Sequence, residues 1–338
     1  MDAIVQPTSL AFDSSRTASV PLSQFVGDPK IPAHIQVAVH EGNLGHAYVP
    51  EANEDYVFSL DFLRAALPYF HERQSFALSV MGPHGAGKTS AVVEYLARAK
   101  WPVVQTVAKR RGEFRDFLGY RHLAGGATSW VDGPLTLAYR HGMVLLVNEW
   151  NRMDPSELFS FNQVLDGAPL VLEENDNQVV HRHPFFRLVF TGNGGSLGDD
   201  TGLYAGVEAQ DVSLVDRLLT VVVDYPAPDV ELAILEKIED RRARSGGNRI
   251  ATQVLLKMIE VANDVRAQFI GKDPVNGTLS VVVSTRTLLR WAHVCTWYPN
   301  RKDRLRASLH LALLNGLPAE QASTIAELAK DRFGDLWV

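Results

Sequence analysis

The segment GPHGAGKT at residues 82–89 constrains this chain more than any other feature. Glycine, four residues and then Gly-Lys-Thr is the spacing of a phosphate-binding loop. Gly82, Gly85 and Gly87 let the backbone curl until its N–H groups face phosphate oxygens, with Pro83, His84 and Ala86 completing the turn. Lys88 is placed to reach the β and γ phosphates and Thr89 to ligate magnesium, with Ser90 next in the first helical turn. An ordinary glycine-rich turn could share this composition, but it would not need these flanks. The apolar run Ser75–Met81 reads as a strand, and Thr89–Ala99 reads as a helix whose N-terminus points at the anion. ATP and Mg2+ are the expected cofactors.

Two further strands end in polar groups. VLLVNEW brings Asn148 and Glu149 to the C-terminal edge of a sheet, where ligands of α/β folds bind. Glu149 is the candidate base that orients and deprotonates the attacking water. A carboxylate after a core strand is otherwise a plain surface group, and the neighbouring phosphate loop tips the reading. RLVFTGN ends in Asn193, whose amide is placed to hold the lytic water, although Asn is also a common turn residue at strand ends.

Residues 1–54 are rich in Pro, Ser and Gly and lack sustained periodicity, which reads as a largely extended arm with one or two short strands. Residues 55–226 alternate between two periods. Residues 59–72, Leu135–Arg140 and Glu157–Leu165 read as helices. Val103–Val107, Met143–Val147, Phe186–Thr191 and Leu219–Val223 read as strands, and 170–180 as a hairpin around Asn-Asp-Asn. Such alternation predicts an α/β fold with a mostly parallel sheet covered on both faces. After Tyr225-Pro226-Ala227-Pro228, residues 227–338 read as an all-helical lid with helices over Val230–Ala243, Ala251–Phe269, Ser284–Tyr298, Arg304–Leu314 and Pro318–Lys330.

Composition narrows the function classes. The chain has 338 residues, 46% apolar and 21% charged, the balance of a soluble globular protein. Its single cysteine, Cys295, excludes an internal disulfide framework and a cysteine-based metal site. The start carries Asp2 where a secretory leader would be positive, and no run reaches the roughly 18 apolar residues that span a bilayer. A cytoplasmic location and no membrane partner are expected. A net charge of −6 gives no support to nucleic-acid binding, and Lys109-Arg110-Arg111 reads as a solvated face. His181 and His183 lack further ligands for a metal.

The order of these pieces resembles that of the AAA+ ATPases: phosphate loop, strand with a terminal acid, strand with Asn, then Asp216-Arg217 and a helical lid. More narrowly the chain resembles the MoxR branch, most of all the small ATPase subunit of aerobic cobaltochelatase and the CbbQ and NorQ activators. The residues carrying the closer match are YVPEANEDYVF (48–58), NRMDP after the acidic strand, HPFFRLVFTGN (183–193), LGDDTGLYAG (197–206) and VDRLLTVVVDYPAPDVE (215–231). GGATSWVDGPLTLA (125–138) resembles the CbbQ form of its region. The resemblance implies Lys88 and Thr89 as the Walker A pair, Asn148-Glu149 as the Walker B pair and Asn193 as sensor 1. Arg217 would be the arginine finger that reaches a neighbouring subunit, and Arg286, in VSTRTLLRWA, would be sensor 2. Arg152 in NRMDP is a further candidate for the subunit interface. The insert around 112–133 and the hairpin at 170–180 match pore-lining elements, with Trp130 either touching a client or buried.

The implied activity is Mg-ATP hydrolysis by a homo-oligomeric, hexameric ring that remodels or activates a client. The implied partner is a protein with a von Willebrand factor A domain, and a metal chelatase is one specific version. Two other readings stand beside it: a nucleotide-gated scaffold with little hydrolysis, and an accessory ATPase of a mobile element or phage acting on DNA. The family usually has Asp-Glu where this chain has Asn148-Glu149. Thr89 and Asn148 would hold magnesium, and an amide lacks the full charge of a carboxylate. Slow basal turnover, a high magnesium requirement and a faster Asn148→Asp variant are therefore expected; the alternative is that the neighbours are adapted to the amide.

Overall fold

Five short runs pair in parallel, and the three central ones bury both of their faces. In the computed structural model, which describes residues 10–72, 74–124, 126–194, 207–269 and 277–337, they are β1 (Ala77–Met81), β2 (Val103–Val107), β3 (Val144–Asn148), β4 (Arg187–Gly192) and β5 (Leu218–Val222). They pair in the order β5-β1-β4-β3-β2, all parallel. Side chains alternate across a strand. Leu78, Val80, Val103, Val144, Leu146 and Val189 therefore enter one apolar cluster. Ala77, Met81, Val104, Leu145, Val147, Leu188 and Phe190 enter the other. This is the two-sided burial expected of a parallel sheet.

Helices α1 (Leu60–His71) and α2 (Lys88–Ala99) contribute to the first cluster, and α3 (Pro134–His141) to the second. Trp101-Pro102 follows α2, and a residue before proline leaves helical space. Five further helices follow the sheet among the described residues: α4 (Pro228–Arg244), α5 (Thr252–Ala267), α6 (Thr285–Cys295), α7 (Arg304–Ala312) and α8 (Ala319–Phe333). They have an apolar cluster of their own around Leu255, Met258, Trp291, Leu309 and Phe333, in which Cys295 is buried.

Three segments differ from the sequence expectation. The arm has the two short strands expected of it, Ala18–Pro21 paired antiparallel with Gln36–Val39, but it is also packed down, with Phe12, Leu22, Phe25 and Val37 in the first core cluster. The Phe12 ring stacks on Phe185 with 4.2 Å between centroids. Its Pro, Ser and Gly content masked a few well-spaced aromatic and aliphatic anchors. The helix expected over Glu157–Leu165 is two short pieces, Pro155–Leu158 and Phe161–Leu165. The insert at 112–133 carries an unexpected hairpin, Gly119–Ala124 with Ala127–Asp132. There Trp130 is partly buried against the core with its indole N–H donating to Asp132 Oδ1 at 2.8 Å, while Tyr120 and Leu123 are exposed. Residues 197–206 of the matched motifs, and Gly125, lie outside the described residues.

Candidate functional site

The loop at 82–89 crosses from β1 to α2, and its path is held by close approaches. Gly82 has φ 150°, and an added Cβ there would come 1.9 Å from the Val223 carbonyl oxygen. Gly85 has φ 76°, and its Cβ would meet the Ser284 side chain at 2.5 Å. Both positions combine a backbone conformation that favours glycine with no room for a side chain. Helix α2 starts at Lys88 after Gly87 without a side-chain cap, so the amides of its first turn remain for an anion. Thr89 and the exposed Ser90 stand in that turn, with Ala86 buried behind them.

The named side chains converge here. Lys88 is buried, and its Nζ donates to the carbonyls of Gly82 at 3.0 Å and Pro83 at 2.8 Å and to Asn193 Oδ1 at 2.7 Å. Burial pushes the Lys88 ammonium down to about 8, against the opposing pull of Glu149. The other end of the Asn193 amide, Nδ2, donates to Glu149 Oε2 at 2.6 Å. One amide therefore joins the cation of the phosphate loop to the carboxylate of the acidic strand. Glu149 sits at φ 55°, ψ 35°, a left-handed conformation unusual for a non-glycine residue and of the kind that clusters at functional sites. Arg152 Nε lies 3.9 Å from the same carboxylate.

Thr89 Oγ1 donates to Asn148 Oδ1 at 2.7 Å. Thr191 Oγ1, two residues before Asn193, donates to the same oxygen at 2.9 Å. Asn148 Nδ2 donates to the Thr106 carbonyl at 3.3 Å. Both ends of this amide thus have protein partners. Thr191 and Thr106 were not expected from the sequence. Strand register was the missing signal, since Asn148 stands opposite Thr191 and Val107 only once the sheet is assembled.

The lid reaches the loop through Ser284 and Arg286, and the segment leading into it through Tyr225. Arg286 Cβ is 3.8 Å from the position a Gly85 Cβ would take. Partial burial, then Arg286 and Lys88, push the His84 imidazole below its usual range. Tyr225 donates its hydroxyl to the His84 carbonyl at 2.8 Å, and the Arg266 guanidinium covers its ring at 4.4 Å. Arg266 is held by a buried two-bond pair with Glu231 at 2.8 and 2.9 Å, and Thr285, next to Arg286, donates to Glu231 at 2.7 Å.

Arg217 alone of the expected residues is not brought to this site. It precedes β5, whose far end meets the loop at Val223, so one strand length, roughly 17 Å, separates it from the phosphate cradle. Its Nε donates to Asp166 Oδ1 at 3.2 Å and an Nη to the Ser213 carbonyl at 2.9 Å.

The donor set suits a hard cation shared with phosphate. Thr89 Oγ1 and Asn148 Oδ1 are both oxygens, side by side at the helix start, and Mg2+ characteristically takes one or two protein oxygens and completes its shell with phosphates. Among the described residues no group of three or more His, Cys, Asp or Glu could hold a metal by itself. No described helix is long and apolar enough to cross a membrane.

A parallel sheet, a glycine-rich loop feeding a helix, an acid and an Asn on adjoining strand ends, and a helical lid beside the loop together define a P-loop ATPase domain of the AAA+ class. Comparison with known proteins agrees. Residues 77–205 match the AAA domain of the dynein-related subfamily, and residues 244–331 match the CbbQ/NirQ/NorQ C-terminal family. The aerobic cobaltochelatase subunit CobS from Sinorhizobium sp. is 31% identical over 272 residues, covering 78% of this chain and 76% of that protein. CbbQ from Hydrogenophilus thermoluteolus is 28% identical over 214 residues, 60% of this chain and 74% of its own. The crystal structure of NtrX from Brucella abortus superposes with a TM-score of 0.50 at 16% identity, over 83% of this chain and 64% of that one, a likeness of fold alone. The chain belongs to the MoxR branch of the AAA+ ATPases.

Proposed function

We propose that this chain hydrolyses Mg-ATP in a hexameric ring and uses turnover to remodel or activate a client protein. A partner with a von Willebrand factor A domain completes the reading, and metal insertion, the activity in the name of the cobaltochelatase relative, is its specific version. The observation that carries hydrolysis is the continuous chain Lys88–Asn193–Glu149, with bonds of 2.7 and 2.6 Å. Loop and first-turn amides hold the phosphates, and Lys88 compensates their charge. Asn193 fixes the Glu149 carboxylate where a water beside the terminal phosphate can be oriented and deprotonated. Thr89 and Asn148 would hold magnesium, which would neutralise charge on the phosphate oxygens. Arg286 adds a cation from the lid side.

Lys88→Ala is expected to abolish nucleotide binding, because no other cation of the loop can take its place. Titration calorimetry on the folded variant checks this, and unchanged ATP affinity would remove the phosphate-site reading. Light scattering with and without ATP tests the ring.

The surroundings of Asn148 favour an adapted amide over an impaired carboxylate. Its Nδ2 faces the Thr106 carbonyl at 3.3 Å, so Asn148→Asp would set a carboxylate oxygen against a carbonyl oxygen and lose a hydrogen bond worth about 1 kcal/mol. We expect Asn148→Asp to turn over roughly fivefold more slowly, with an unchanged magnesium requirement. Steady-state rates across a magnesium series decide the matter. A faster variant with a lower magnesium requirement would show that the amide is a handicap. The adapted amide also weighs against a scaffold without hydrolysis.

A further inference from the structure

We propose that Asn151 is a positioning residue that holds Asn193 in place between Lys88 and Glu149. The inference rests on the ATPase reading and deepens it. Asn151 lies two residues after Glu149, in the single 3-10 turn Trp150–Arg152, and is fully buried. Burying a primary amide is unfavourable unless its polar atoms are paired. Nδ2 is paired, donating to the main-chain carbonyl of Asn193 at 2.7 Å. Oδ1 has no hydrogen-bond partner among the described residues and lies against Gly192, where an added Cβ would come within 2.8 Å of it. An amide kept for stability alone has no reason to leave one end unpaired. What Asn151 supplies, and an apolar residue of its size would not, is the donor to residue 193.

That donor acts where the sheet stops acting. β4 ends at Gly192, so the pairing that fixes its neighbours ends one residue short of Asn193. Yet the Asn193 side chain must meet two partners at once, at 2.7 and 2.6 Å. A small rotation of its backbone would break both bonds. The bond from Asn151 pins that backbone, and because Asn151 and Glu149 share one turn, the same segment sets the carboxylate and the amide that meets it. Asn151 is itself anchored on the other side, its main-chain carbonyl accepting the Glu208 N–H at 2.8 Å and Gln210 Nε2 at 3.4 Å.

The test uses Asn151→Asp, which keeps the shape and removes the donor, and Asn151→Ala, either being sufficient if only one folds. Both are expected to lower kcat roughly 10- to 100-fold, as a displaced catalytic group does, with the KM for ATP changed less than about threefold. On an Asn193→Ala background the same substitutions should cost less than about twofold more, because the group they position is gone. Losses that multiply fully in the double variants would overturn the assignment. The side-chain amide resonance of Asn193 in 15N-labelled protein reads the same point without chemistry. It should stand apart from free-amide values in the wild type and move toward them in the Asn151 variant, and an unmoved signal would overturn the assignment as well. Absence of turnover in the wild type would count against the ATPase reading instead, and the amide signal would then decide on Asn151.

Discussion

Arg217→Ala is expected to lower ATP turnover on the order of 10³–10⁵-fold, the value of an arginine finger, while ATP affinity of the isolated chain stays near normal. The motivation is geometric. Arg217 lies one strand length from its own phosphate loop, at the opposite edge of the sheet, and pairs with the partly exposed Asp166. A guanidinium so placed cannot serve its own chain, but it can serve a neighbour whose loop faces that edge. Mixing Arg217→Ala subunits with Glu149→Gln subunits should therefore recover part of the activity, since adjacent chains rebuild one intact site. If mixed rings form, as native mass spectrometry would show, and turnover is never rescued, the trans role is lost and Arg217 is a structural partner of Asp166.

Glu149→Gln should reduce turnover roughly 10²–10⁴-fold, the usual worth of a positioned base, with ATP still bound and the assembly trapped in that state. A Gln amide can present its carbonyl oxygen to Asn193 Nδ2, so the 2.6 Å contact has a substitute and the loop should keep its shape. The loss is then confined to proton acceptance. Single-turnover chemistry and retained nucleotide are the paired measurements. Near-normal hydrolysis would rule Glu149 out as the base.

The three central strands were legible because a parallel sheet buried on both faces leaves unbroken apolar runs. The two outer ones, VVQTV and LLTVV, were legible because they are rich in β-branched residues. β1 is buried at all five positions, and the ends of Val144–Asn148 and Arg187–Gly192 lie within a residue or two of their sequence reading. The phosphate loop was legible because its backbone needs glycine at fixed positions, a constraint written into composition. The hairpin at 119–132 was not, since GYRHLA and ATSWVD lack clean alternation and one strand leaves Tyr120 and Leu123 in solvent. The anchoring of the arm through Phe12 was hidden for a related reason: a lone aromatic gives no period, and its partner Phe185 lies far along the chain.

By itself the sequence determined which groups the site contains: Lys88, Thr89, Asn148, Glu149 and Asn193 each follow from a local pattern of glycine spacing or of a strand ending in a polar residue. Tertiary structure alone decided how they are joined. That Asn193 bridges Lys88 and Glu149, that Asn148 Oδ1 takes two threonine hydroxyls while its nitrogen meets Thr106, and that Asn151 holds residue 193 all depend on strand register. Register is set by pairing between runs distant in the chain, where a slip of one residue turns every side chain to the other face. The same pairing sends Arg217 to the far edge of the sheet, away from the loop its own chain provides.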